Sequence, residues 1–334
     1  MKSSRKNKLA YLYVVATVAL LLSAALGVLL GPSDVSLSSM LSALINGNTD
    51  TPEARIFLYV RLPRVLATLI CGMALATSGA VIQGVLANKL ASPSVIGVNA
   101  GAGLAVTLCS AIGVFGGWRL SLFAFLGAFI TVAIVSLAAK KWGASRGTVI
   151  LIGVAVNALL GAISDTVTVF SPDISVQSLD FKIGDFSSVT YPVVLPAAAV
   201  TLASLIILQT LTNELDVLTL GDERAAGLGL NIGVVRMLLL ALAALLSGAA
   251  VSVCGLLSFV GLLVPHAVRR IATSQAKHLV PLCALFGASF VTVCDTAARV
   301  IFAPYELPVG IIMAFLGAPF FIFILIGRKG GHRS

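Results

Sequence analysis

Charge is scarce in this chain. Asp, Glu, Lys and Arg make up 10% of its 334 residues, against 58% hydrophobic. The surface of a soluble domain needs roughly 25–35% charged residues, so a water-borne globule is excluded. Segments of ~10 residues alternating apolar and polar are also missing, which excludes a porin-like barrel. The five cysteines (Cys71, Cys109, Cys254, Cys283, Cys294) all lie in apolar segments and none forms a CxxC pair. That pattern gives neither a disulfide framework nor a zinc site, and reads as buried bystanders. No GxxxxGK[ST], HExxH or GxSxG occurs, so the chain has no P-loop for ATP and none of the commonest intramembrane hydrolase signatures. It reads as no enzyme on its own, with no metal site and no bound cofactor.

Long apolar runs are what the chain has instead. A helix needs ~20 apolar residues to cross a bilayer, and such runs recur over Leu9–Leu30, Val65–Leu86, Val95–Phe115, Leu120–Ala139, Thr148–Phe170, Tyr191–Leu211, Leu279–Val300 and Leu307–Gly327. The first follows a basic head and is too long for a signal peptide's ~7–15 apolar residues, so it reads as a span. Met237–Val268 is ambiguous. As one helix its 32 residues would measure about 48 Å at ~1.5 Å per residue, too long for one crossing of a ~30 Å core and short for two. Charge parity decides for two, because ten spans put both the basic head and the tail "RKGGHR" on the cytoplasmic side. Only Arg55, Arg61, Arg64, Arg119, Lys182 and Arg299 then remain outside. The expectation is an all-α polytopic membrane protein of ten transmembrane helices, a single transmembrane domain over 1–334 with both termini in the cytoplasm. The net charge of +9 sits in short inter-span clusters, which argues for membrane topology and against a nucleic-acid partner. A faint internal echo, Gly72/Gly79 before Pro93 and Gly248/Gly255 before Pro265, hints at an inverted repeat of interrupted helices.

One stretch breaks the rule of sparse charge. "LTLGDERAAGLGL", residues 218–230, sets Asp222, Glu223 and Arg224 side by side and then runs into small and apolar residues. Thr219 and Asp222 have capping-box spacing, the two acids suit a helix N-terminus, and Gly229 suits the C′ position. The stretch reads as a short exposed helix over about 219–229. A solvated loop is one explanation; a partner-docking helix also explains the apolar edge.

That stretch resembles the cytoplasmic coupling helix of the cobalamin/iron–siderophore (BtuC/FecCD-type) family of ABC importer permeases. "RLPR" at 61–64, "SGAVIQGVLANKLASPSVIGVNAGAG" at 78–103, "SFVGLLVPHAVRR" at 258–270 and "CDTAARVIFAPYELPVGIIMAFLGAPFF" at 294–321 resemble further family patterns in the same order. Lys89 stands where the family has proline, and "FKIGDFSSV" at 181–189 lacks the family's tryptophan. The resemblance implies a type II ABC importer permease. It would work as a homo- or heterodimer with a second permease subunit, two ATPase subunits that use the ATP, and a periplasmic or lipid-anchored substrate-binding protein. The implied cargo is a metal chelate, ferric siderophore first, haem or cobalamin next.

The resemblance assigns ATPase coupling to Thr219, Gly221, Asp222, Glu223, Arg224, Ala225, Leu228 and Gly229. It gives binding-protein docking to Arg61, Arg64 and Arg299, which as outer-edge arginines would otherwise snorkel to the interface. Asp295, four residues before Arg299, is placed to compete for it. Ser145, Arg146 and Gly147, within "ASRGT" at 144–148, fall at the inner gate or in a plain loop. Asp165 lines the pathway or is satisfied by a neighbouring helix. His266 takes a structural role. The rival classes are an ion-coupled secondary transporter, which should carry paired intramembrane acids, and a membrane-embedded enzyme, which should show a convergent catalytic group.

Overall fold

Helices account for every regular element among the residues described, which are 2–32, 36–46, 51–141 and 145–329 of this computed structural model. The expected cytoplasmic tail beyond 329, and Ala144 of the expected gate, lie outside them. Seven helices are long and apolar enough to cross a membrane: α1 (Lys2–Leu29), α4 (Leu62–Val85), α6 (Gly117–Lys141), α7 (Arg146–Phe170), α9 (Tyr191–Thr210), α12 (Ile232–Cys254) and α14 (Ala276–Val300). Shorter α5 (Val98–Ala111), α13 (Val260–Ile271) and α15 (Val309–Lys329) bring the number to ten. The ambiguous run resolves into α12 and α13, broken at Gly255, whose φ of 68° and ψ of −155° suit a residue without Cβ. At 12 residues α13 is about 18 Å long, a half-crossing sheltered by its neighbours.

The connecting segments are more structured than expected. The stretch before α4 carries α2 (Leu37–Asn46) and α3 (Pro52–Ile56), the latter continuing through a π turn (Phe57–Arg61) into α4. The segment before α9 holds α8 (Ser175–Ile183). The charged island holds two helices, α10 (Thr212–Thr219) and α11 (Asp222–Gly227), where the sequence suggested one.

The core is α4 packed between α12 and α14. Lipid tails are as apolar as leucine, so helices associate through close van der Waals fit and hydrogen bonds, which favours small residues. α4 supplies them in Ala67, Cys71, Ala74, Ala76 and Ala80, all buried. Gly72 of α4 and Gly287 of α14 are so close that a Cβ on either would strike the other's backbone carbonyl. A Cβ on Gly79 would likewise strike the backbone carbonyl of Gly261 in α13. Hydroxyls add cross-links: Thr68 with Thr292 Oγ1 at 2.9 Å, and Ser78 Oγ donating to Ala243 O at 2.7 Å. The peripheral helices turn Leu21, Leu22, Leu151, Leu159 and Ile206 outward.

Candidate functional site

The charged island is clamped to the spanning helices through one carboxylate. Asp222 opens α11 and accepts from Arg236 Nη2 at 2.8 and 2.9 Å, where Arg236 belongs to α12. It also pairs with Arg146 Nη2, at the head of α7, at 3.0 Å. The same Arg146 nitrogen donates to Leu218 O at 2.6 Å, so the arginine holds α10 as well. Partial burial pushes the Asp222 carboxyl up. The hydrogen bond and charge of Arg236, with the charge of Arg146, outweigh that and hold it below the usual carboxylate range.

The expected capping box is absent. Thr219 ends α10 and donates its hydroxyl to Asp216 O at 2.7 Å. Gly221, at φ 110° and ψ 154°, makes the turn into α11 without a side-chain cap. Asp222 cannot cap while two guanidinium groups hold its carboxylate. Gly229 takes the C′ position: its N–H reaches Ala226 O at 2.9 Å, and the Leu230 N–H reaches Ala225 O at 3.1 Å, a Schellman pair. Ala225 is fully buried beneath α11, whereas Glu223, Arg224, Leu228 and Gly229 are exposed, Leu228 to 67%. The site residues thus divide into anchors, Asp222 and Ala225, and an outward face with an apolar edge.

Around this joint lie Asp216 and Leu215, which the sequence did not single out, and beside them Gln83, Arg269, Ser145 and Gly147, which it did. Asp216 of α10 accepts from the Ala276 N–H at the head of α14 at 2.9 Å. Leu215 covers Gly84 at the end of α4. Gln83 Nε2 donates to Gly261 O at 2.9 Å, while Arg269 donates to Gln83 Oε1 and, at 3.2 Å, to Ala80 O. Ser145 caps α7, its hydroxyl accepting from the Thr148 N–H at 3.1 Å, and Gly147 is exposed beside it.

At the end of the bundle away from the charged island, the arginines expected at the surface are inside. Arg61, Arg64 and Arg299 are 3%, 3% and 2% exposed. Arg64 grips Asp295 through Nε and Nη2 at 3.0–3.2 Å and reaches Glu306 Oε2 at 2.6 Å through Nη1. The anticipated Asp295–Arg299 pair forms at 3.1 Å. Arg299 also donates to Gly27 O at 2.9 Å and Leu30 O at 3.2 Å, and Arg61 donates to Val28 O and Leu29 O at 3.0 and 2.8 Å. The three bind α1, α4 and α14 together and offer no guanidinium to the outer surface. A buried charge is costly unless paired and hydrogen-bonded, and here a fully buried carboxylate and the last carbonyls of α1 meet that cost. Asp165 is exposed at the surface and pairs with Lys182 of α8 at 3.3 Å. His266 meets Phe320 edge to face at 6.4 Å. The five cysteines are buried and unbridged, and no His/Cys/Asp/Glu group suited to a metal occurs among the described residues.

The chain is similar to known proteins over most of its length. The hemin transport system permease protein HmuU of Yersinia pestis is 34% identical over 300 residues, 88% of this chain and 90% of that one. The Fe(3+)-citrate import system permease protein YfmD of Bacillus subtilis is 34% identical over 326 residues, 98% and 97% of the two chains. A solved structure, an inward-facing conformation of a metal-chelate type ABC transporter, superposes with a TM-score of 0.84 at 28% identity, covering 95% of this chain and 99% of its own. Residues 18–327, most of the chain, match the FecCD transport family, and this chain belongs to that family.

Proposed function

We propose that the chain is the membrane-spanning subunit of an ABC importer that takes up a metal chelate, a ferric siderophore before haem or cobalamin. As a member of a transport family it is a permease and not an enzyme, and ATP hydrolysis belongs to a separate ATPase subunit. Relatives named for hemin and ferric citrate import support a metal-chelate cargo. The chain sits in the inner membrane as a multi-pass protein, and we place both termini in the cytoplasm. Its working unit pairs two permease subunits with two ATPase subunits and receives cargo from a substrate-binding protein on the outer side.

The observation that carries the mechanism is the three-way contact of Asp222 with Arg236 and Arg146. An ATPase seated on Glu223, Arg224, Leu228 and Gly229 pushes on α11. Asp222 passes that displacement to α12 through Arg236 and to the inner end of α7 through Arg146. Ser145, Arg146 and Gly147 stand at that inner end and form the gate. ATP need only favour one of two arrangements of the bundle by binding it more tightly. At the outer face, Arg61, Arg64 and Arg299 brace the rim on which the binding protein docks, and Asp165 stands on the open face of α7 at the pathway.

The test is ATP-driven uptake in proteoliposomes containing this chain, its ATPase and its binding protein, offered ferric siderophores, haem and cobalamin. Uptake of one cargo that disappears without ATP supports the proposal. An assembled complex that hydrolyses ATP and moves none of the three refutes the cargo class.

A further inference from the structure

Among the described residues, two that are not glycine have a positive φ: Ala87, just after α4, and Phe259, which opens α13 at φ 67°. An aromatic residue in the left-handed region is an outlier. It persists only where its surroundings over-determine it, and such residues gather at switch regions. The surroundings of Phe259 are specific. Its ring lies against Gly317 of α15, where a Cβ would strike the ring. Gly317 is buried although its neighbours Phe315, Leu316 and Ala318 are exposed. Further along the same seam, His266 and Phe320 meet edge to face.

The segment leading to Phe259 is stitched to its surroundings by backbone bonds. Asp185 N–H donates to Cys254 O at 3.0 Å, and Leu256 N–H donates to Phe181 O at 2.9 Å. Gly310 N–H, at the head of α15, donates to Gly184 O at 3.2 Å. The break between α12 and α13 therefore reaches the head of α15 by way of the end of α8, and presses on the middle of α15 through Phe259. The far end of α13 is fixed by Arg269, bonded to Gln83 and Ala80 of α4. Beside Phe259 lies a cavity of about 210 Å³, lined by Leu75, Pro93 and Leu262 together with the polar Ser92, Ser94 and Asn99.

We propose that Phe259 is a positioning residue of the transport cycle whose ring has two seats, the hollow over Gly317 and the neighbouring cavity, and that the seat it takes sets the stand of α15 against α13. In the first seat, contact with Gly317 holds the strained φ. In the second, φ returns to the ordinary negative range and the ring leaves α15 free to shift. Strain relief opposes lost contact, which makes the break a bistable element of the kind that amplifies small displacements. The role in transport rests on the importer reading; the two seats do not.

The test is fluorine NMR of the full chain in lipid nanodiscs with 4-fluorophenylalanine at position 259. Two exchanging signals are expected. Gly317→Ala, which crowds the first seat, and Leu75→Phe, which fills the second, should shift their ratio in opposite directions by at least about tenfold. A single signal that neither substitution moves overturns the proposal, and either variant alone decides it if the other fails to fold. In proteoliposomes with the ATPase and binding protein, both variants should change cargo moved per ATP hydrolysed. A merely structural role would lower uptake and hydrolysis together, and that result overturns the positioning role. Wild-type vesicles that move no cargo count against the importer reading and leave the NMR result standing.

Discussion

A carboxylate shared by two arginines from different helices is a joint, and Asp222 is one. Replacing it with lysine sets three cations together. Cargo uptake should fall by about tenfold or more, within the range of site-to-site coupling energies, while ATP hydrolysis continues. Unchanged uptake would remove Asp222 from the transmission path. Glu223→Lys leaves the joint whole and alters only the exposed face, so its expected defect is weaker ATPase binding, measured by co-purification. The pH dependence follows from the depressed Asp222 carboxyl. A group whose folded pKa lies below its unfolded value stabilises the fold above the unfolded pKa, and that stability is lost as pH falls through the folded one. Hydrogen exchange over 212–231 should thus be flat from pH 8 to about 5 once intrinsic chemistry is divided out, with protection lost only below the usual carboxylate range of about 3.9. Asp295 is the outer counterpart. Asp295→Asn leaves Arg64 and Arg299 buried with their shared counter-charge removed, a change that costs about 3–5 kcal/mol when a buried pair is broken. Thermal unfolding in detergent should show a clear drop in Tm; a drop within error would mean that Glu306 and the carbonyls of α1 suffice. The charges themselves stood out in the sequence because the chain has so few. Their pairing did not, because Arg146 was assigned to the gate and Arg236 looked like an ordinary cytoplasmic cation. Nor did burial show: Arg61, Arg64 and Arg299 read as exposed because the carbonyls that hold Arg61 and Arg299 come from α1 and the acid that holds Arg64 from α14.

Helix ends and crossings carry the next level. Runs of ~20 apolar residues announce themselves, so the long spans were legible to within a few residues. Short polar-faced helices such as α2, α8 and α10 were not, since a few turns give too little periodicity to stand out between loops. The break at 255–259 was visible only as an impossible length; its form depends on bonds to residues 181–185 far away in the chain. Crossings were hinted at by glycine spacing, and the pairing of Gly72 with Gly287 gives that hint an energetic meaning. At this distance no side chain fits, so Gly287→Val must prise α14 from α4 across their main contact. Overpacking of a fitted core costs about 1–3 kcal/mol and occasionally more. The expected outcome is a lower Tm and reduced dimer recovery, measured by size exclusion after mild heating. Gly161→Val on α7, where a Cβ would meet nothing within 4 Å, should be tolerated. Equal losses in both would show that glycine flexibility, and not close approach, is what α4 and α14 need.

For the molecule as a whole, we infer from charge which end faces in. Cationic residues on short loops are retained on the cytoplasmic side. The half-crossing α13 keeps the parity of ten spans, because α12 rises to the level of residues 181–185 and α13 returns to place Arg269 and Arg270 beside the inner end of α4. Lys89, Arg270 and the coupling helix α11 therefore share one side, while Arg55 and Lys182 share the other. All five native cysteines are buried, which leaves a quiet background for labelling. In intact cells, Arg55→Cys and Lys182→Cys should react with a membrane-impermeant maleimide, whereas Lys89→Cys and Arg270→Cys should react only after permeabilisation. The reverse pattern would put α11 outside, away from any ATPase, and the joint at Asp222 would lose its purpose. Labelling of Lys89→Cys alone from outside would instead break the parity between α4 and α13, and with it the reading of α12 and α13 as a crossing and its return.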